Sequence, residues 1–289
     1  MAKKLLLCTD LDRTLIPNGE APESPQARDY FRHLVARPEV TLVYVTGRHL
    51  SLIEKAIVEY QLPWPQFAIA DVGSSIYTRQ NSQWCRWQIW DDHLAQDWPV
   101  EGAITLHRYL GSRTNLVLQE PEKQGHYKLS YYVDLQENSA ELIPELQKIF
   151  QQEKIAVNLI WSIDEAKNIG LLDILPRQAN KYKAILFLIN TYRIRLNQTL
   201  FAGDSGNDQD VLQSPIPAVL VANAHGDLKK RLHHHCQENL YFAQGNYLGM
   251  NGNYSAGILE GIVHYFPHYH EGLKDFSKGI KRLGNLRND

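Results

Sequence analysis

The sequence predicts an α/β protein, a doubly wound parallel sheet interrupted by an inserted α+β domain. Three observations lead there. Unbroken apolar runs of four to six residues alternate with helical patterns in the first part of the chain and again after Pro176, as expected of parallel strands buried on both faces. From Trp84 to about residue 170 the texture changes to aromatic and alternating stretches with a turn-rich connection, as expected of antiparallel strands. Polar clusters stand just after the apolar runs, at what would be the carboxyl edge of the sheet.

The elements follow in order. Leu5–Thr9 reads as the first strand, and Ser24-Pro25 reads as an N-cap and first helical residue opening a helix to about Ala36. Thr41–Val45 is a second strand, and Leu50–Tyr60 carries helical apolar spacing at Leu50, Ile53, Ala56, Ile57 and Tyr60. Phe67–Ala70 is a third strand. In the insert, "WCRWQIW" is aromatic and alternating. A helix is expected over about 95–110, then strands in "TNLVLQE" and "YKLSYYVD" joined by the turn-rich "PEKQG". A helix over about 139–152 and strands "AVNLIW" and "LLDIL" complete it. Asn180 can cap the next helix, strands "TLFA" and "AVLVA" follow, and "SAGILEGIVHYF" is a late helix. The closing "LKDFSKGIKRLGNLRND" is mildly basic and weakly patterned, and reads as a frayed tail.

With 289 residues, 44% of them hydrophobic and 21% charged, the chain can bury a substantial core. A net charge of −2 gives no overall attraction to nucleic acid or to anionic membranes, and no basic stripe with interleaved aromatics appears. No run approaches a membrane span, and the start of the chain does not read as a signal peptide. Three scattered cysteines, Cys8, Cys85 and Cys236, suit a reducing compartment, so a cytoplasmic location is expected, without nucleic-acid or membrane partners. A monomer is expected. The segment "HHHCQENLYFAQG" resembles an expression tag, but it lies inside the chain and reads as native, its histidines ending a solvated helix.

"TDLDRT" places Asp10 and Asp12 two residues apart at the end of the first strand. Side chains so spaced on an extended segment point the same way and repel unless a cation or solvent separates them. "TGR" (Thr46, Gly47, Arg48) ends the second strand, and "GDSGND" (Gly203 to Asp208) ends a later one. Each piece alone is ordinary: D-x-D is common in turns, Thr-Gly-Arg can simply start a helix, and Gly-Asp-Ser-Gly-Asn-Asp can be an Asx-rich loop. Together at one sheet edge they imply converging acids, and Asp204 and Asp208 bring the number to four. Hard oxygen ligands without Cys or His suit Mg²⁺, which shares its shell with substrate phosphates. Lys181 and Thr46 are then phosphate ligands, one a point charge and the other a hydroxyl donor. An aspartate can attack phosphorus to give an aspartyl-phosphate, while a companion carboxylate protonates the leaving alkoxide and later deprotonates water.

On these pieces the chain resembles the haloacid dehalogenase superfamily of phosphatases: Asp10-Leu11-Asp12-Arg13-Thr14-Leu15, Thr46-Gly47-Arg48, Lys181 and Gly203–Asp208 fall in that family's order. "VGSSIY", "YKLSYYVD", "DILPRQANK" and "SAGILEGI" are similar to segments of sucrose-phosphate phosphatases, and the likeness spans roughly residues 4–266. The resemblance implies a Rossmann-like core over 1–83 and 171–289 and an α+β cap over 84–170 that closes over the substrate and excludes water. It implies Asp10 as nucleophile and Asp12 as general acid and base. Asp10, the Asp12 carbonyl and Asp204 would hold Mg²⁺, with Asp208 as a direct or indirect partner. Thr46, Gly47, Arg48, Asn180, Lys181 and Asn207 would serve the phosphoryl group, and Lys128 the sugar phosphate or the sugar. The implied reaction is hydrolysis of a sugar phosphate, sucrose-6-phosphate foremost, with a sucrose-phosphate synthase-type glycosyltransferase as a candidate partner.

Three positions depart from the family pattern. Arg13 and Tyr182 replace smaller residues, and Ser75 stands where sucrose phosphatases typically carry Glu in "GSEIY". The first two add bulk near the site, and the third bears on sugar recognition. Mannosylfructose phosphate, trehalose phosphate and mannosyl-phosphoglycerate are therefore alternative substrates. An idle partner of a glycosyltransferase is the rival of another class, though intact Asp10, Asp12, Lys181 and Asp204 count against it. Trp84, Trp87, Trp90 and Trp161 are either sugar-stacking platforms or the core of the insert. His49 is either a substrate contact or an exposed first-turn residue, and Pro267 breaks the spacing that would let His264 and His268 share a metal.

Overall fold

The computed structural model describes residues 4–98, 102–111, 115–164, 167–234 and 238–285. In chain order the elements begin β1 (Leu5–Thr9), α1 (Ala27–Val35), β2 (Val40–Val45), α2 (Leu50–Glu59), β3 (Phe67–Ala70), β4 (Ser75–Gln80) and β5 (Gln83–Arg86). Next come α3 (Gln88–Leu94), α4 (Ala103–Leu110), β6 (Val117–Leu118), β7 (Leu129–Val133), α5 (Ser139–Gln152), β8 (Val157–Asp164) and β9 (Ile169–Pro176). The last are α6 (Lys181–Tyr192), β10 (Thr199–Gly203), α7 (Gln209–Leu212), β11 (Ala218–Leu220), α8 (Gly226–His234), β12 (Leu240–Phe242), α9 (Ser255–Tyr265) and α10 (His270–Asn285). The chain divides into two compact units, one comprising Met1–Val45, Ile53–Phe67 and Ile189–Asp289, the other Thr46–Leu52 and Ala68–Leu188. The second contains the whole 84–170 stretch.

In the first unit five strands run parallel in the order β12-β11-β10-β1-β2. Every residue of β1, β10 and β11 is buried, which is why these segments read as continuous apolar runs. The connection from β1 goes to β2 on one side, while β10 lies on the other, so the strand order reverses between β1 and β10. A crevice opens at the carboxyl ends of the strands at such a reversal. Among the described residues no helix is long and apolar enough to cross a membrane.

Helix α1 buries Ala27, Tyr30, Phe31 and Leu34 along one stripe and packs on β2, α9 and α10. It does not begin at Ser24-Pro25. Gln26, at φ 64°, turns the chain into the helix, and the Ser24 hydroxyl instead accepts the Asn251 amide at 2.8 Å. A larger correction concerns the end of the chain, where α10 is an ordered helix. Tyr269 and Leu273 are buried, and the Phe276 ring sits 5.3 Å from Tyr30 and 4.1 Å from His33. The apolar residues at 269, 273 and 276 are helically spaced, with charged residues of both signs between them. His233 and His234 do end α8, with His233 stacked on Phe242; residues 235–237, including Cys236, lie outside the described set.

The second unit contains a four-stranded antiparallel sheet in the order β6-β7-β9-β8, with α5 against β8 and α4 against α5 and β7. Asn138 caps α5 by accepting the Ala140 amide at 3.1 Å. The aromatic run after Trp84 is not one strand. β4 and β5 form a tight hairpin whose turn residues Asn81 and Ser82 both take positive φ, and α3 follows at once. Of the helix expected over about 95–110, the described residues hold α4 from Ala103, while α3 has already ended at Leu94; the described part of "TNLVLQE" contributes the two-residue β6. Trp90 is core: it is buried, its indole N–H donates to Gly73 O at 3.1 Å, and it lies 4.9 Å from the Phe187 ring. Trp87 also packs on Phe187, whereas Trp84 and Trp161 are half-buried.

Candidate functional site

In the first unit the reversal point gathers acids. The Asp10 amide donates to Ala202 O at 2.9 Å, carrying the β1–β10 register one residue past the strand end. Asp204 follows β10 directly. One carboxylate oxygen from each of Asp10, Asp204 and Asp208 lies within 4.8 Å of the other two, and all three residues are buried. Buried like charges this close raise one another's energy strongly unless positive charge is at hand.

The surrounding chain holds this cluster in place. Arg13, at φ 58°, folds the segment after Asp12 back on itself, and its Nε lies 3.5 Å from Asp204 Oδ2. The left-handed backbone there is one that Gly or Asn adopts most easily. Arg13 thus brings its charge at some conformational cost. Thr14 Oγ1 donates to Asp204 Oδ1 at 3.0 Å. Asp208 Oδ2 accepts the Asp204 and Ser205 amides, each at 3.1 Å, so this carboxylate also fastens the turn that carries its neighbour. Asp12 is half-buried, and its Oδ1 accepts from Asn18 Nδ2 at 2.6 Å. Asn207 is half-buried beside them, its Oδ1 accepting from Ser205 Oγ at 3.1 Å.

Gly203 is required by this packing. A Cβ there would come within 2.7 Å of Asp208 Cγ and Oδ2. Gly203→Ala is expected to displace Asp208 and lower the melting temperature; thermal unfolding of the purified variant checks it. Overpacking of this kind destabilises by about 1–3 kcal/mol.

The second unit carries the remaining expected residues. Thr46 is buried: its amide donates to Ile69 O at 2.9 Å, and its Oγ1 accepts the Arg48 amide at 3.2 Å. Gly47 lies between them, and Arg48 Nη1 reaches Leu52 O at 3.3 Å. Asn180 caps α6, accepting the Lys183 amide at 2.7 Å, and so sets Lys181 as the first residue of the helix. The Lys181 side chain is among the most buried in the protein. Gly73, at φ 100°, lets the 71–74 turn press against that helix start, since a Cβ there would stand 2.4 Å from Asn180 C and O. His49 pairs with Ser51 Oγ at 3.0 Å.

Lys128 is 6% exposed, with its Nζ 3.9 Å from Asp71 Oδ1 and 3.8 Å from Asp173 Oδ1. Burial raises the Asp71 carboxyl above its ordinary value, while Lys128 and then His49 pull it back. Asp173 also accepts from Ser130 Oγ across the β7–β9 pairing. Asp71 and Asp173 were not singled out by the sequence reading. The signals were present, in a carboxylate directly after the strand "FAIA" and another in the middle of the apolar strand "LLDIL".

The chain matches the sucrose-6F-phosphate phosphohydrolase family over residues 3–266. It belongs to that family. A protein of Nitrosococcus oceani named only as a HAD-like hydrolase is 48% identical, covering 92% of this chain and 73% of its own length. The mannosylfructose-phosphate phosphatase of Agrobacterium fabrum is 27% identical, covering 90% of this chain and 96% of its own. The crystal structure of the Synechocystis sucrose-phosphatase with sucrose and phosphate superposes with a TM-score of 0.76 at 27% identity, covering 91% of this chain and 98% of that one. This member of the sucrose-6F-phosphate phosphohydrolase family is thus a phosphoric monoester hydrolase of the haloacid dehalogenase superfamily, with its α/β fold.

Proposed function

We propose that the protein hydrolyses a glycosyl sugar phosphate, sucrose-6-phosphate foremost, with Mg²⁺ as cofactor and Asp10 as nucleophile. The observation that carries this reading is the buried Asp10–Asp204–Asp208 cluster at the strand reversal of the first unit. Its donors are all carboxylate oxygens, with neither imidazole nor thiolate, which suits a hard divalent cation. Asp10, Asp204 and the Asp12 carbonyl would hold Mg²⁺, with Asp208 joining directly or through a hydrogen bond. When bound, the ion supplies neutralisation of the phosphoryl oxygens.

The residues then divide the work. An Asp10 carboxylate oxygen attacks phosphorus as the bond to the sugar oxygen breaks, and the Asp12 carboxyl gives its proton to that oxygen, releasing the sugar as an alcohol. Water next attacks the phosphorus of the aspartyl-phosphate and passes a proton to Asp12. The P–O bond to Asp10 breaks, so that phosphate leaves and both side chains return to their first state. Thr46, Lys181 and Asn207, with the Gly47–Arg48 backbone and Asn180 as helix cap, are assigned to the phosphoryl oxygens. Residues 84–170 are assigned as the cap and Lys128 to its sugar-facing part.

Mannosylfructose phosphate is the second substrate to test, favoured by the A. fabrum relative and by Ser75 in place of the usual Glu. A glycosyltransferase that makes the sugar phosphate would be the functional partner. The free thiols of Cys8 and Cys85 favour the cytoplasm. Phosphate release from a panel of sugar phosphates, with Mg²⁺ and with EDTA, tests the reading. Metal-dependent release led by one glycosyl sugar phosphate is expected, and absence of release from every ester would overturn it.

A further inference from the structure

Asn18 lies outside the assigned machinery yet bonds directly to it. Its Nδ2 donates to Asp12 Oδ1 at 2.6 Å, and its Oδ1 accepts the Arg13 amide at 2.8 Å. Asn18 is exposed and makes no contribution to the core that would explain its two bonds into this turn. The amide cannot be the other way round, because a backbone N–H can only donate; the oxygen must face Arg13 and the NH₂ must face Asp12.

The turn between them is closed tightly. Leu15 and Ile16 both donate to Leu11 O, at 3.0 and 2.8 Å, and Asn18 N donates to Ile16 O at 2.9 Å. From the other side Asn223 Nδ2 holds Arg13 O at 2.6 Å, while its own Oδ1 accepts the Tyr254 amide at 2.8 Å. The backbone that follows Asp12 is therefore gripped at both N–H and C=O by asparagine side chains. Of these two asparagines, Asn18 is the one that also holds the Asp12 carboxylate.

We propose that Asn18 is a positioning residue for Asp12, fixing the carboxyl so that Oδ1 is the acceptor and Oδ2 carries the proton given to the leaving oxygen. This rests on the assignment of Asp12 as general acid. A carboxylic acid has one hydroxyl and one carbonyl oxygen, and an oxygen engaged by an N–H at 2.6 Å is the carbonyl one. Without Asn18 that bond no longer favours Oδ1 as the carbonyl oxygen, and the share of carboxyl with its proton on Oδ2 falls. Proton transfer contributes about 10²–10⁴-fold when the group is well placed. Its loss weighs on a poor leaving group, such as a sugar alkoxide, and hardly on a good one, such as p-nitrophenolate.

The test compares wild type, Asn18→Asp, Asn18→Ala and Asp12→Asn, each with Mg²⁺, by rapid-quench release of the leaving group in the first turnover. The substrates are a sugar phosphate and p-nitrophenyl phosphate. Asn18→Asp keeps an acceptor for the Arg13 amide but sets a carboxyl against Asp12, so Asn18→Ala, which adds no charge, decides between the outcomes. The expected result is sugar release slowed about 10–100-fold in both Asn18 variants, p-nitrophenol release within about 3-fold of wild type, and KM little changed. Equal slowing on both substrates, or none on either, overturns the role of Asn18. Asp12→Asn separates the two assignments: selective loss of sugar release in that variant without it in Asn18→Ala removes Asn18 alone. Unselective loss in Asp12→Asn removes the general acid and the positioning role with it.

Discussion

Asp10→Asn is expected to lower kcat by about 10⁴-fold or more while leaving the protein folded. An amide is nearly isosteric with the carboxylate, but its oxygen is too weak a nucleophile to form the phosphoenzyme. The same change removes one of three buried carboxylates whose oxygens lie within 4.8 Å of one another. In the absence of a divalent cation the variant should therefore melt at or above the wild-type temperature. Opposite movements of activity and stability distinguish a catalytic acid from a structural one. Turnover and thermal unfolding in EDTA check both; turnover close to wild type would sink the nucleophile assignment.

Lys128→Met is expected to destabilise the protein by about 3–5 kcal/mol near neutral pH, because it leaves Asp71 and Asp173 buried without the ammonium between them. Methionine keeps most of the apolar stem, so the loss reports the charge. The deficit should depend on pH with a definite sign. The folded Asp71 carboxyl is already held above its unfolded value of 3.8, chiefly by burial, with Lys128 acting in the opposite direction. A raised carboxyl contributes stability below the unfolded value that is lost as pH rises through the folded value. Without Lys128 the folded value climbs further, so that loss continues to higher pH. Urea unfolding of wild type and variant should show the gap narrowing toward acid and widening toward neutrality. A gap independent of pH would place the effect in packing rather than charge.

The parallel half of the fold was legible because its strands are buried on both faces. Leu5–Thr9 and Phe67–Ala70 occupy the strands their apolar runs suggest, and the cap at Asn180 is where its side chain and position imply. Local signals failed where tertiary contacts decide. Ser24-Pro25 looks like a helix start, yet the Ser24 hydroxyl is taken by an amide more than 200 residues away, and the helix begins after the left-handed Gln26. The tail reads as frayed although Leu273, Phe276, Ile280 and Leu283 recur at helical spacing, because the partners that anchor its start, Tyr30 and His33, lie on α1 far away in sequence.

The acids could be read from their place after the strands, since a carboxylate at a parallel-strand end has few structural uses. Asp173 and Asn18 have no such placement, and Asp71, though it directly follows β3, stands outside the motif set. Their importance comes from what they meet: a buried ammonium for Asp71 and Asp173, and the Asp12 carboxyl together with the Arg13 amide for Asn18. Arg13 is the instructive intermediate case. Sequence marks it as a departure, and the structure supplies its meaning: a strained left-handed turn that delivers a guanidinium to Asp204.

The most direct test of the central claim is to mix the enzyme with a sugar phosphate and Mg²⁺, quench in acid within a turnover, and locate phosphate by peptide mass spectrometry. Phosphate on the Asp10 peptide, absent with EDTA and absent in Asp10→Asn, is the predicted result. Turnover with an unmodified Asp10 peptide at every quench time, or phosphate carried by a different residue, would contradict it.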